Sequence, residues 1–353
     1  MSDKTALFTA GGWLRVTATV LVVIGAPALF RSRDVSQRPF DVTPLRALQA
    51  THPDCILVGD SMLATRIDPT RLNEIADRRC AVLGYPGTAS AVWYLIMENI
   101  IGRLLPPPRW TIIFFRDRQL TRPAMRTTGR CRERLEPFML GQESAFQAQL
   151  EKATLRQSPL FERISRFLYP VQTYRYECSE NLREHALKLV SHSAMKNLVR
   201  DATKDLFDLH NLRNNVAPAS SVNNDENDGL NSEDVTFADS LNGSFLPMML
   251  TIAERQHIRL LFFRVKRRPP DNAPFVEDGP GAQRYQHDLR TYLAKRGAIL
   301  FDETREGDVS PGFYGEGDHV AQTMMRRYTD LFWQKIHALL SSTIDGAVPS
   351  VAP

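Results

Sequence analysis

Five short apolar runs punctuate this chain, at 56–58 (ILV), 80–83 (CAVL), 110–115 (WTIIFF), 258–263 (IRLLFF) and 298–301 (AILF). Each is followed directly by glycine or a charged residue, as a buried strand can be. The third is apolar but for Thr111, which reads as a central strand covered on both faces. Between the runs, apolar residues at helical spacing predict helices over 69–77, 91–105, 245–256, 283–296 and 323–340, the second stopped by Pro106-Pro107-Pro108. Strands alternating with helices predict a parallel sheet with right-handed crossovers. The fold class is therefore α/β, a three-layer α/β/α domain of about five parallel strands over 54–340.

From 121 to 240 that rhythm breaks. Helical spacing persists at 146–156, 160–167 and 182–207, but no strand follows, so the stretch reads as a helical insertion between the third and fourth strands. Within it, 217–234 (APASSVNNDENDGLNSED from Ala217) is polar and reads as disordered chain or a long surface loop. Residues 34–53 read as a linker with a short helix, and 341–353 as a flexible tail.

The N-terminus changes the picture most. Lys4 and Arg15 precede an apolar run over 16–30, and Arg31 and Arg33 follow it. The run is short of the ~20 residues a spanning helix needs unless it extends back past Arg15, whose side chain would then snorkel to the headgroups. Residues 1–33 thus read as an uncleaved membrane anchor, as a signal peptide cleaved near Ala26-Pro27-Ala28, or as a buried N-terminal helix. No second long apolar stretch follows, which leaves one soluble body on one side of a membrane.

The formal charge is +4 over 353 residues, with no Lys/Arg stripe interleaved with aromatics, so nucleic acid is a poor partner. The four cysteines, Cys55, Cys80, Cys131 and Cys178, form no CxxC pair, and zinc spacing is absent. Export would permit a Cys131–Cys178 disulfide, whereas Cys55 and Cys80 each open a strand and read as small buried residues. No metal, nucleotide or other cofactor is implied.

In open parallel sheets, ligands bind beyond the carboxyl ends of the strands. Asp60 and Ser61 follow the first strand, Gly87 the second, Arg116 and Arg118 the third, and Arg264 and Lys266 the fourth; Glu316, Asp318 and His319 precede the last helix. A serine becomes a nucleophile when an imidazole takes its proton, and an acid then orients the ring. The backbone N–H groups of Ser61 and Gly87 are suited to hold the oxyanion. Gly-Asp-Ser is also a common turn, in which Asp60 bonds nearby backbone N–H groups. The run RVKRRPP from Arg264 is either a solvated strand end or a clamp for an anionic group.

Gly-Asp-Ser after a short strand, a glycine in GYPGTAS after the second, and an acid–histidine pair before the C-terminal helix together resemble the SGNH, or GDSL-type, hydrolases and acyltransferases. The resemblance covers most of 54–340 outside the insertion. It implies an SGNH-like, flavodoxin-like sheet, Ser61 as nucleophile, Gly87 as oxyanion donor and His319 as base. The family's acid stands three residues before the histidine, which falls on Glu316, while Asp318 adjoins the ring; either could orient it. The family's third block, Gly-x-Asn, is replaced by FFRDRQL, in which Arg116 or Arg118 would have to donate instead of asparagine.

The plan of membrane segment plus SGNH-like domain is similar to that of proteins working beside membrane-bound O-acyltransferases in alginate acetylation and teichoic acid D-alanylation. By that analogy the chain is expected to be an O-acyltransferase or acylesterase acting on an envelope or extracellular polysaccharide. Its acyl donor would be supplied by a membrane-bound O-acyltransferase. It would be anchored in the inner membrane with its domain in the periplasm or outside the cell, with Asp60, Arg118, Arg264 and Lys266 contacting substrate. The alternatives are a non-catalytic SGNH-fold subunit of a polysaccharide synthesis or export complex, and a secreted carboxylesterase.

Overall fold

A computed structural model describes residues 39–157 and 237–342, without 124, 128–133, 142, 270–276 and 316. The N-terminal apolar segment, most of the insertion with its polar stretch 217–234, Cys131, Cys178 and the tail beyond 342 lie outside the described residues. Among the described residues no helix is long and apolar enough to cross a membrane. All but the last turn of one helix belong to one compact unit, 39–154 with 216–353.

Five strands, β1 (Cys55–Gly59), β2 (Cys80–Gly84), β3 (Trp110–Phe115), β4 (Arg259–Arg264) and β5 (Ile299–Asp302), pair in parallel in the order β2-β1-β3-β4-β5. The strands with a neighbour on each side are the most apolar: every residue of β1 and β3 is buried, whereas the edge strands β2 and β5 are mostly half-buried. β4 begins and ends one residue later than its apolar run, because Arg264 continues the ladder opposite Phe115.

The helices fall into two layers. On one face α4 (Ser90–Asn99), α7 (Leu246–Arg255) and α8 (Pro280–Lys295) pack on Ile56, Val58, Ile113, Phe115, Leu260 and Phe262. On the other, α2 (Ser61–Arg66), α3 (Pro69–Ile75) and α9 (Met325–Ser342) cover Leu57, Ile112, Phe114, Leu261 and Phe263. Phe114, Phe263 and Phe332 meet with ring centroids 4.8–5.2 Å apart. Each such buried side chain contributes roughly 1.5–3 kcal/mol of transfer free energy before ordering costs are subtracted. The helix ahead of the sheet, α1 (Thr43–Thr51), is part of this core rather than linker, since Leu48 is buried and Phe40 and Leu45 pack beside it. Of the insertion, α5 (Ser144–Gln157) and the short α6 (Phe237–Leu241) are described, and the buried Phe146 and Phe237 join the first face.

Strand order reverses between β1 and β3: the chain leaves β1 toward β2, then crosses over to β3. Such a reversal opens a crevice at the carboxyl ends of the two strands, and Ser61 stands there.

Candidate functional site

Gly59 ends β1 because nothing larger fits: a Cβ there would lie 2.7 Å from that of Leu63 and 3.0 Å from that of Phe114. This close approach lets α2 start directly on the strand end. Asp60 is its N-cap, accepting the N–H of Met62 at 2.8 Å, so the next residue, Ser61, opens the first turn of the helix. The other oxygen of Asp60 accepts from Gln119 Nε2 at 3.1 Å and Arg126 Nη1 at 3.0 Å, and the residue is buried. Both oxygens of Asp60 are thus occupied by the protein's own donors, as the turn-former reading expects.

His319 reaches the same place from the far side of the sheet. β5 lies three strands away from β1, a crossing of roughly 14 Å at the usual inter-strand spacing. The segment after β5 spans that gap and closes into a narrow loop. Tyr314 and Val320 form an antiparallel bridge, Gly315 N–H donates to His319 O at 2.9 Å, and Ala321 N–H donates to Phe313 O at 2.8 Å. On the returning arm of this loop His319 Nε2 lies 3.0 Å from Ser61 Oγ. With the ring proton on Nδ1, Nε2 accepts the serine proton, which is the base–nucleophile geometry of acyl transfer.

A buried cation ties these two arms together. Arg66, at the last turn of the serine helix, is fully buried between the rings of Tyr314 and Tyr328, with centroids 5.8 and 5.7 Å away. Its Nη2 donates at 2.8 Å to the carbonyl of Lys266, which also accepts Tyr314 O–H at 3.1 Å. Burial opposes its charge, and Tyr328, Tyr314, Glu303 and Asp318 outweigh that, so its pKa rises above the ordinary arginine value. Tyr328 O–H donates to the buried Glu303 at 2.5 Å; burial first and then this carboxylate push the phenol well up.

Of the two acids, Asp318 is held by Arg116 and Arg268. One oxygen accepts Arg116 Nη1 at 2.6 Å and the other the backbone N–H of Arg268 at 2.9 Å. Glu316 lies outside the described residues. Among the described residues no backbone carbonyl takes the N–H of Ser61 or of Gly87, so both remain available to an oxyanion. Gly87 adopts φ +75°, and a Cβ on it would run into Arg134 Nη1. Its turn is fastened to the serine turn: Tyr85 N–H donates to Gly59 O at 3.0 Å, and Arg126 Nη1 reaches Thr88 O at 2.9 Å.

The expected strand-end cations are not brought to this centre. Arg264 is buried and doubly bonded to Asp278 at 2.6 and 2.8 Å, with Asp302 at 3.1 Å. Burial alone would lower its pKa; the two carboxylates hold it far above the ordinary value. Lys266 is buried with its ammonium on the carbonyl of Glu306, and burial pulls its pKa down. Arg118 is half-buried and donates to Ser240 Oγ at 3.4 Å; burial lowers its pKa as well. Arg116 does stand at the rim, on Asp318.

Three residues escaped sequence reading. Gln119 spans the site's base, its Oε1 accepting Arg116 N–H at 2.8 Å while its Nε2 holds Asp60. An amide three positions after Arg116 was the available signal. Arg126 and Arg134 come from the stretch where strand–helix rhythm fails, and nothing local marks them. Among the described residues no group of three or more His, Cys, Asp or Glu side chains is placed to hold a metal ion. The chain matches no protein-family model and no curated protein.

Proposed function

We propose that the chain is an SGNH-like serine O-acyltransferase or acylesterase of flavodoxin-like architecture, anchored through its N-terminal segment, working on an envelope or extracellular polysaccharide. The observation that carries this reading is the 3.0 Å approach of His319 Nε2 to Ser61 Oγ in the crevice at the strand-order reversal.

Ser61 Oγ attacks the ester carbonyl of the acyl donor as its proton passes to His319 Nε2. The N–H groups of Ser61 and Gly87 hold the tetrahedral oxyanion. The carbon–oxygen bond to the donor's alcohol breaks, the imidazolium returns the proton to that oxygen, and acyl-Ser61 remains. A sugar hydroxyl, or water in an esterase, then gives its proton to His319 and attacks the acyl carbon, freeing Ser61. Glu316 or Asp318 is the acid that orients the ring; Asp318 is itself held by Arg116 and Arg268. The donor is supplied by a membrane-bound O-acyltransferase on the anchored side.

Incubation with a chromogenic acetyl ester, with and without an oligosaccharide acceptor, tests this by peptide mass spectrometry. An acetyl group on the peptide carrying Ser61 is expected in the parent and not in Ser61→Ala, whose turnover falls on the order of 10³-fold or more. No adduct under either condition sinks the reading. One observation favours a second reading, a non-catalytic subunit of a polysaccharide synthesis or export complex. Where the resembled family places an oxyanion-donating asparagine after β3, this chain has Arg116 ion-paired to Asp318. Polymer acetylation undiminished by Ser61→Ala would select that alternative.

A further inference from the structure

The fold neutralises most of the cations that crowd the strand ends. Arg264 is matched by Asp278 and Asp302, Arg116 by Asp318, Arg267 by Asp117 and Arg126 by Asp60. Arg134 is different. It is exposed, Nη1 donates to the carbonyl of Pro86 at 2.7 Å, and among the described residues no carboxylate pairs with it. A carbonyl fixes the direction of a guanidinium without cancelling its charge. The same nitrogen occupies the space that a Cβ on Gly87 would fill, so the group is seated on the turn that carries Gly87. That turn is bound to the serine's own turn through Tyr85 and Arg126.

We infer that Arg134 reads an anionic group, a carboxylate or a phosphate, on a glycan held at Ser61; this deepens the acyl-transfer reading and rests on it. A guanidinium offers five donors in a planar fork that matches the oxygens of both anions. One donor is spent on Pro86, which holds the fork in place before any ligand arrives, and the others face the ligand. Because Gly87 is the backbone donor for the oxyanion, the anionic group lies alongside the reacting centre rather than on it. The contact selects which sugar is presented and leaves the proton transfers to Ser61 and His319.

The test is calorimetric titration of the full chain in detergent with three probes of one size. These are a galacturonic acid trisaccharide, a phosphorylated glucose trisaccharide and a neutral glucose trisaccharide. The parent is expected to bind one or both charged probes at least tenfold more tightly than the neutral one, with affinity falling as salt rises. Arg134→Gln should reduce that preference about tenfold. Arg134→Lys, which keeps charge but not the fork, should fall between. Arg79→Gln, at the opposite end of the sheet, should keep the parent's preference, and thermal melts check that each variant is folded.

A tighter galacturonate complex identifies a carboxylate and a tighter phosphorylated complex a phosphate; either supports the inference. It is overturned by equal affinity for charged and neutral probes, by no binding of any probe, by a preference that survives Arg134→Gln, or by equal loss in Arg79→Gln. Titration needs no turnover. Charge selectivity without acyl-Ser61 would defeat the acyl-transfer reading alone, and acyl-Ser61 without charge selectivity would defeat this one alone.

Discussion

Arg264 and Arg134 are the same side chain in opposite circumstances. Arg264 continues a central strand, is buried, and is gripped by two carboxylates. Arg134 sits in an irregular segment, is exposed, and rests on a carbonyl and a glycine. A strand end is where ligands bind, yet the arginine at the strand end serves the fold, and the one from the irregular segment faces solvent beside Gly87. What separates them is the partner supplied by other parts of the chain. A buried cation must be matched within the protein because desolvation costs several kcal/mol; an exposed one, already solvated, is under no such demand.

Removing the buried member is the severest trial of that contrast. Arg264→Met should cost about 3 kcal/mol or more, because Asp278 and Asp302 lose their cation, whereas Arg134→Gln should stay within about 0.5 kcal/mol, as for surface changes generally. Denaturant melts of the two variants measure both, and equal losses would erase the distinction. Gly87→Ala is next. A side chain at φ +75° costs about 1–2 kcal/mol, and its Cβ must displace Arg134. The same substitution should therefore weaken binding of the charged trisaccharides, and unchanged binding would mean that Arg134 has no fixed seat there.

The smallest effect concerns the core beside Arg118. Burial raises the Tyr285 phenol to about 12, and Thr121 Oγ1 lies 2.7 Å from its oxygen. Between the ordinary value of about 10 and about 12, the native state keeps a proton that the unfolded chain has lost, so stability falls as pH rises through that window. Tyr285→Phe removes that group from the linkage, and melts at pH 9 and pH 11 should show a drop shallower by about 1 kcal/mol. An unaltered drop would mean that this phenol is not held protonated by the fold.

The frame was legible because it depends on local apolar content. WTIIFF could only be a covered strand, and each of the five runs became one, with ends moved by a residue where the ladder extends past the apolar stretch. Ser61 was singled out by the strand-end rule and His319 by the acid–histidine pair ahead of the last helix, and their 3.0 Å approach is seen only in the fold. What could not be read was who neutralises whom. Asp60 looked like a site acid until Gln119 and Arg126 closed over it, from 59 and 66 positions away. Lys266 looked like a clamp until burial and the Glu306 carbonyl claimed it. Asp318 adjoined the imidazole in sequence, yet its carboxylate turns to Arg116. Such pairings are long-range and electrostatic, and periodicity carries no trace of them.

The loop that carries His319 over the sheet has a consequence for the life of the molecule. Ser61 and His319 are 258 positions apart, and their approach depends on β5 taking its place in the sheet and on the segment after it crossing back toward β1. On the proposed reading, a chain cut before His319 keeps Ser61 but loses its base, so reactivity waits on the last part of the fold.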